Sequence, residues 1–197
     1  VRQLSFVLVS LLVAVGLLPA GCQSSYPTVT LRPDDHRRPF TATFTRAYWS
    51  QDQAGDDQVV LVNDPFDHNS APSTGDPLNP SKTPPITQLL YIHLQWRTAI
   101  FSRGETPVTS NAVLDWYVYG GGSASMIHYT GSGHVSIDAG KAKAVVDIRH
   151  AELKLADRFG SLQDPFKSFS VDGSITAINS PGELKHVLGD LASETKR

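Results

Sequence analysis

Seven histidines punctuate the chain, at His36, His68, His93, His128, His134, His150 and His186. Imidazole is the commonest metal ligand and a proton carrier near neutrality, so their spacing is the first chemical question. No two stand at the i, i+4 interval of an HExxH zinc helix. His93, His128, His134 and His150 fall in segments that alternate like strands, where a site would have to be assembled across strands. Singly placed strand histidines more often pack or face solvent, and the sequence predicts no metal and no cofactor. Asp52, Asp56 and Asp57 form an acidic group but lack the alternating ligand spacing and closing Glu of a calcium loop. Ser132 lies in Gly131-Ser132-Gly133-His134, a flexible turn rather than the Gly-x-Ser-x-Gly elbow of a hydrolase. Asp115, Asp147 and Glu152 offer carboxylates, but nothing in the sequence brings two of them together for acid–base work. Gly120-Gly121-Gly122-Ser123 lacks the Lys of a phosphate loop. No catalytic residues are assigned.

The strongest binding candidates are aromatic: Trp96, Trp116, Tyr117 and Tyr119. On an open sheet face such rings stack on a sugar or meet a protein partner. The competing expectation, which the pattern favours, is plain core and cross-strand packing.

One further residue has a chemistry of its own. Cys22 is the only cysteine, so no disulfide framework can form within the chain. It follows a basic residue, Arg2, then an apolar run from Leu4 to Leu18 (LSFVLVSLLVAVGLL), then Pro19-Ala20-Gly21. A basic start, an apolar middle and a small-residue exit make an export signal over residues 1–21. The apolar run is shorter than the roughly 20 residues of a spanning helix. Leu18-Pro19-Ala20-Gly21-Cys22 resembles the lipobox of bacterial lipoproteins, departing from it in having Pro19 where Leu is preferred. The resemblance implies cleavage before Cys22 and lipidation of its thiol. It also implies a membrane partner through that lipid, with the outer membrane favoured because Gln23, not Asp, follows the cysteine.

The formal net charge is −2, with 17 Lys and Arg against 19 Asp and Glu. There is no basic patch, which excludes nucleic acid as an expected partner. Charged residues are only 18% of the chain, below the usual figure of about 25%. The length suits one domain with a core of its own.

Residues 22–39 are polar and hold Pro27, Pro33 and Pro39, which reads as the lipidated cysteine and a tether. The β domain is expected over 40–192. Phe40 to Trp49 alternates, Val59 to Val62 is a short apolar strand, and Thr87 to Arg97 fits a strand better than a helix. Residues 63–85 hold six prolines and predict a long irregular loop. Ala112 to Tyr119 has apolar groups on both faces and predicts a strand covered on two sides. Residues 125–138 form either a hairpin turning at Gly131-Ser132-Gly133 or one strand with glycines at a close approach. In Lys143 to Asp157, Val146 and Ile148 point one way while Leu153 and Leu155 have the opposite parity, which predicts a bulge near His150-Ala151. Ser168 to Ile178 is a last strand. Ser180-Pro181-Gly182-Glu183 then opens a helix near 180–191, with a polar tail over 193–197.

The expected fold is all-β: a single antiparallel sandwich or flattened barrel of about seven or eight strands with a short C-terminal helix. The expected function is a lipid-anchored bacterial cell-envelope protein whose β domain binds or scaffolds an envelope protein or a glycan without catalysis. The alternative is a small-ligand-binding β-barrel, and a lipoprotein hydrolase ranks third.

Overall fold

A computed structural model describes residues 26–35, 37–63, 87–95, 110–120 and 125–194. Cys22 with the leader, residues 64–86 of the Pro-rich loop, and Trp96 lie outside the described residues. The described residues form one nine-stranded sheet and a C-terminal helix. The strands are β1 (Thr28–Pro33), β2 (Phe40–Thr43), β3 (Arg46–Gln51), β4 (Asp57–Val62), β5 (Thr87–Leu94), β6 (Ala112–Tyr119), β7 (Met126–Ala139), β8 (Lys143–Phe159) and β9 (Ser168–Asn179), followed by α1 (Pro181–Glu194). The order is β2-β1-β9-β3-β4-β5-β6-β7-β8, and β8 pairs back onto β9. The pairings from β3 to β9 therefore close into a flattened barrel. Closure removes most of the unpaired edge that an open sheet presents.

The seam is short. β3 meets β9 in parallel at Tyr48↔Ile178 and Trp49↔Asn179, while the other pairings are antiparallel. The Ser180 N–H donates to the Trp49 carbonyl (3.1 Å) just past the seam. The helix begins there: the Leu184 N–H donates to the Ser180 carbonyl (3.1 Å), which places Ser180 at the N-cap. α1 runs through Gly189 to Glu194, past the end expected near 191, because Leu184, Val187 and Leu191 are all buried along one face.

Two cores result. Inside the barrel, Phe44, Trp49, Leu61, Ile92, Leu114, Trp116, Tyr129, Val146, Phe169 and Val171 pack together. Trp116 lies 5.6 Å from Tyr129 and 5.4 Å from Phe169, ring centre to ring centre. Outside it, α1 packs on Tyr48, Val60, Val62 and Leu89. β4 is thus covered on both sides, which explains its unbroken apolar run. β6 is not: Leu114 and Trp116 face the barrel core, but Asp115, Tyr117 and Tyr119 are only half-buried. The two-sided cover expected for β6 belongs to β4 because the short helix reaches only as far as Leu89 of β5, with Tyr91, Tyr117 and Tyr119 along its edge.

The domain starts earlier than expected. β1 lies within the segment expected to be a polar tether through residue 39. Val29 and Leu31 alternate with Thr28, Thr30 and Arg32, and both are buried (2% and 1% exposed) between β2 and β9. The strand expected from Phe40 to Trp49 is also two strands. Phe40, Ala42 and Phe44 face the core, then Ala47 and Trp49 do, so parity switches at Thr45. There both the Thr45 N–H and its Oγ1 bond to the Val62 carbonyl (3.0 Å each). These two features account for the count of nine.

The bulge lies where the apolar parity predicts it. β7 is one continuous strand, so the hairpin reading of 125–138 is not realised. Pairing with β7 skips from Ser132↔Glu152 to His134↔Arg149, and pairing with β9 skips from Ile148↔Gly173 to Ala151↔Val171. His150 is the residue extra to both neighbours, and it takes a left-handed φ of 48°. Asp172 of β9 holds it: Oδ1 accepts the His150 N–H (2.9 Å), and Oδ2 meets the Arg32 guanidinium (3.3 Å). The glycines opposite are required. A Cβ on Gly133 would lie 2.4 Å from the Ala151 Cβ, and one on Gly131 would lie 1.8 Å from the Glu152 carbonyl oxygen.

Gly133→Ala should therefore destabilise the domain by about 2–3 kcal/mol or more, through overpacking against backbone that cannot move aside. Gly189→Ala should do the reverse. A Cβ there meets nothing within 4 Å, and alanine in a helix interior is worth about 0.5–1 kcal/mol over glycine. Denaturant midpoints moving in opposite directions for the two variants are the expected result.

Candidate functional site

The outer face of β5, β6 and β7 carries a row of half-buried side chains, with Tyr91 and Tyr117 at the edge of the outer core. Strand register sets the row: Tyr91 stands opposite Asp115, Asp115 opposite Thr130, and Tyr117 opposite His128. The His128 ring stacks flat on Tyr117, with centroids 4.3 Å apart and planes 3° from parallel. His128 Nε2 meets Asp115 Oδ1 at 2.9 Å. Asp115 thus fixes the imidazole's direction and Tyr117 fixes its plane. Among the described residues no hydroxyl hydrogen-bonds to His128.

Burial under this row pushes the Tyr91 hydroxyl up from 10.0 to about 12, with the carboxylates of Asp115 and Asp52 and the Tyr117 phenol adding to it. Tyr117 is raised for the same first reason, with Asp115 second. Both phenols stay protonated and able to donate a hydrogen bond at any physiological pH.

The row runs into a cleft. Thr130 pairs with Lys154, and Lys154 with Ser168. Around them the β7–β8 bulge leaves a cleft of about 820 Å³, lined by Asp34, Ser110, Thr130, Ser132, His134, Arg149, His150, Glu152, Lys154 and Ser168 among others. Its lining is rich in hydroxyls and charges of both signs, with a small apolar floor at Leu153. His150 is 89% exposed at its side chain, displayed by the left-handed bulge position, and His134 Nδ1 is buried without a hydrogen-bond partner. Such a surface suits a polar ligand with several hydroxyl or acidic groups.

A third cluster sits at the β3–β4 turn. Asp52 Oδ1 accepts the N–H groups of Ala54 (2.8 Å) and Asp56 (3.0 Å), and Oδ2 accepts from Gln58 Nε2 (3.2 Å). The Asp56 N–H bond is the main reason the Asp52 carboxyl lies below its ordinary value, with Ala54, the charge of His93 and Gln58 contributing against a burial cost. β5 pairs Gln58 with His93, which brings that imidazole beside the turn. Asp52, Asp56 and His93 each offer an atom within 4.8 Å of the other two. Asp57, the third member of the acidic group in the sequence, points elsewhere: it is buried and its Oδ1 accepts the Trp49 indole N–H (3.2 Å).

Of the binding candidates read from the sequence, Tyr117 and Tyr119 lie on the outer face, and Tyr117 belongs to the stacked row. Trp116 does not: it is 5% exposed and belongs to the barrel core, as its shared parity with Leu114 requires. Trp96 lies outside the described residues. Sequence reasoning missed Tyr91, His93, Asp115 and His128 as a group. Their only sequence signal was common parity within adjacent strands, which reveals a cluster only once the register is known.

No protein-family model matches the chain, and no curated protein or solved structure matches it.

Tyr91 gives this face a pH signature. Its folded value lies above the ordinary one, so the stability it contributes is intact below pH 10.0 and is lost as pH rises through about 12. The spectrophotometric tyrosinate titration of the folded protein should show a late-titrating phenol that disappears in Tyr91→Phe. The variant should also lose less stability than the wild type over that pH interval.

Proposed function

We propose that this chain is a lipid-anchored bacterial cell-envelope protein whose β domain binds a polar envelope ligand, a glycan ahead of a protein, through the outer face of β5 to β8. The observation that carries the binding half is the cleft at the bulge, whose wall residue Thr130 stands two positions along β7 from His128 of the Tyr117–His128 stack. Hydroxyl-rich walls beside a flat ring are the usual chemistry of sugar recognition: the hydroxyls exchange hydrogen bonds and the ring takes an apolar sugar face. The anchor half rests on the residues from Arg2 to Cys22. It agrees with a domain that begins at Thr28, so that the link from Cys22 is only a few residues long. Localisation at the outer membrane follows from Gln23 after the cysteine.

The small-ligand barrel is disfavoured by the packing of the interior, where Trp116, Tyr129 and Phe169 fill the space such a ligand would need.

Two measurements test the halves separately. In a bacterial host given labelled fatty acid, the wild-type chain should take up label and stay with the membrane, and Cys22→Ser should do neither. An unlabelled wild type removes the anchor. For binding, soluble cell-wall glycan fragments should shift the amide resonances of Thr130, Ser132, His134 and Glu152 in the detergent-solubilised protein. Shifts confined to other strands, or none, would overturn the site.

A further inference from the structure

We infer that Asp52, Asp56 and His93 form a binding site for a divalent transition-metal ion of the zinc type. The three residues come from two separate elements. The first two flank the β3–β4 turn, where Gly55 takes a φ of 88°, and the third comes from β5 across the sheet. Their ligand atoms lie within 4.8 Å of one another. Ligand bonds of about 2.0–2.2 Å bring donor atoms to roughly 3.3–3.5 Å apart around a tetrahedral ion. The cluster is therefore open by at most about 1.5 Å, a distance that side-chain rotations close.

His93 provides an independent sign. Its Nε2 is shut away from solvent and has no hydrogen-bond partner, although carboxylates stand close by. A buried unpaired ring nitrogen costs free energy, and a bound cation removes that cost. The ring is held rather than loose: it lies near-parallel to Tyr91, 6.2 Å away and 9° off. The Asp52 carboxylate has the supporting contacts expected of a ligand, since Ala54, Asp56 and Gln58 all donate to it.

The donor set selects the ion. Calcium and magnesium take six or more oxygens, whereas two carboxylates and an imidazole suit zinc, cobalt or nickel. Three protein donors leave one tetrahedral position for water or for a group on a ligand, as in zinc sites that are not purely structural. His93 lies on the same side of the sheet as Tyr91 and the Asp115–His128 pair.

The test uses the full-length protein in detergent, stripped with a chelator and titrated calorimetrically with Zn²⁺, with Co²⁺ as a spectroscopic probe. The expected result is one zinc per chain, and visible ligand-field absorption of tetrahedral cobalt. Loss of a group that only hydrogen-bonds to a ligand costs about 10- to 100-fold in metal affinity, so His93→Ala, which removes a ligand itself, should weaken binding at least that much. Asp56→Asn should weaken it similarly. It keeps the backbone bonds of the turn, so it separates loss of a ligand from loss of the fold. His186→Ala, which removes the exposed histidine paired with Asp190 on α1, should leave affinity unchanged. No zinc binding, zinc binding unaffected by both His93→Ala and Asp56→Asn, or calcium bound in preference to zinc would each overturn the assignment.

Discussion

β8 carries the constraint on which the barrel depends. It must pair along most of its length with both β7 and β9, yet its inward residues change parity between Ile148 and Ala151. A regular strand cannot do this, because neighbouring residues point to opposite faces. One extra residue, His150, solves the conflict for both partners at once. The solution works only because Gly131 and Gly133 leave room on one side and Asp172 accepts the displaced N–H on the other. Without the bulge, either Val146 and Ile148 or Ala151 and Leu153 would face solvent.

The same device creates the outer cleft. The bulge displays the His150 side chain to solvent, and Ser132, His134, Arg149 and Glu152 line the cleft beside it. The site and the fold therefore share a cause. At the far side of the sheet a different economy applies. α1 covers β3 and β4 and stops at the edge of β5, so the half-buried Tyr91, Tyr117 and His128 remain presented rather than covered. The connection from β8 to β9 closes the core at its own end: Asp164 accepts the Tyr129 hydroxyl (2.6 Å) and the N–H of Phe166 (2.9 Å), and Phe166 stacks on Phe40 (4.8 Å). Burial raises the Asp164 carboxyl, but these donors outweigh it and hold the group below its ordinary value.

The fold class was legible because long alternating segments dominate the chain. The bulge at His150 was legible for the same reason, since a change of parity is visible without a structure. β1 was not. Its signal is two residues, Val29 and Leu31, between Pro27 and Pro33, and one of its two partners, β9, is distant in sequence. The distinction between Trp116 and Tyr117 was half legible: parity put them on opposite faces, but only the position of α1 decides which faces are covered. The Asp52–Asp56–His93 cluster was not legible at all. The sequence offered three aspartates within six residues and a histidine in another strand, and the register of β4 against β5 exchanged one for the other. Asp57 left the group because its side chain turns inward to Trp49.

The ring is closed by the last strand. β9 provides the neighbour for β1, the second neighbour for β8 and the seam with β3, and α1 begins directly after it. A chain emerging from its amino end thus has every strand from β3 to β8 available as an open meander before the barrel can exist. Its completion couples residues near 48 to residues near 178, a contact of long sequence separation whose loop entropy must be met late. α1, which builds the outer core on β3 and β4, follows β9 directly in the chain. Any amino-terminal portion that stops before β9 therefore lacks both the strand that closes the barrel and the helix that covers its outer core.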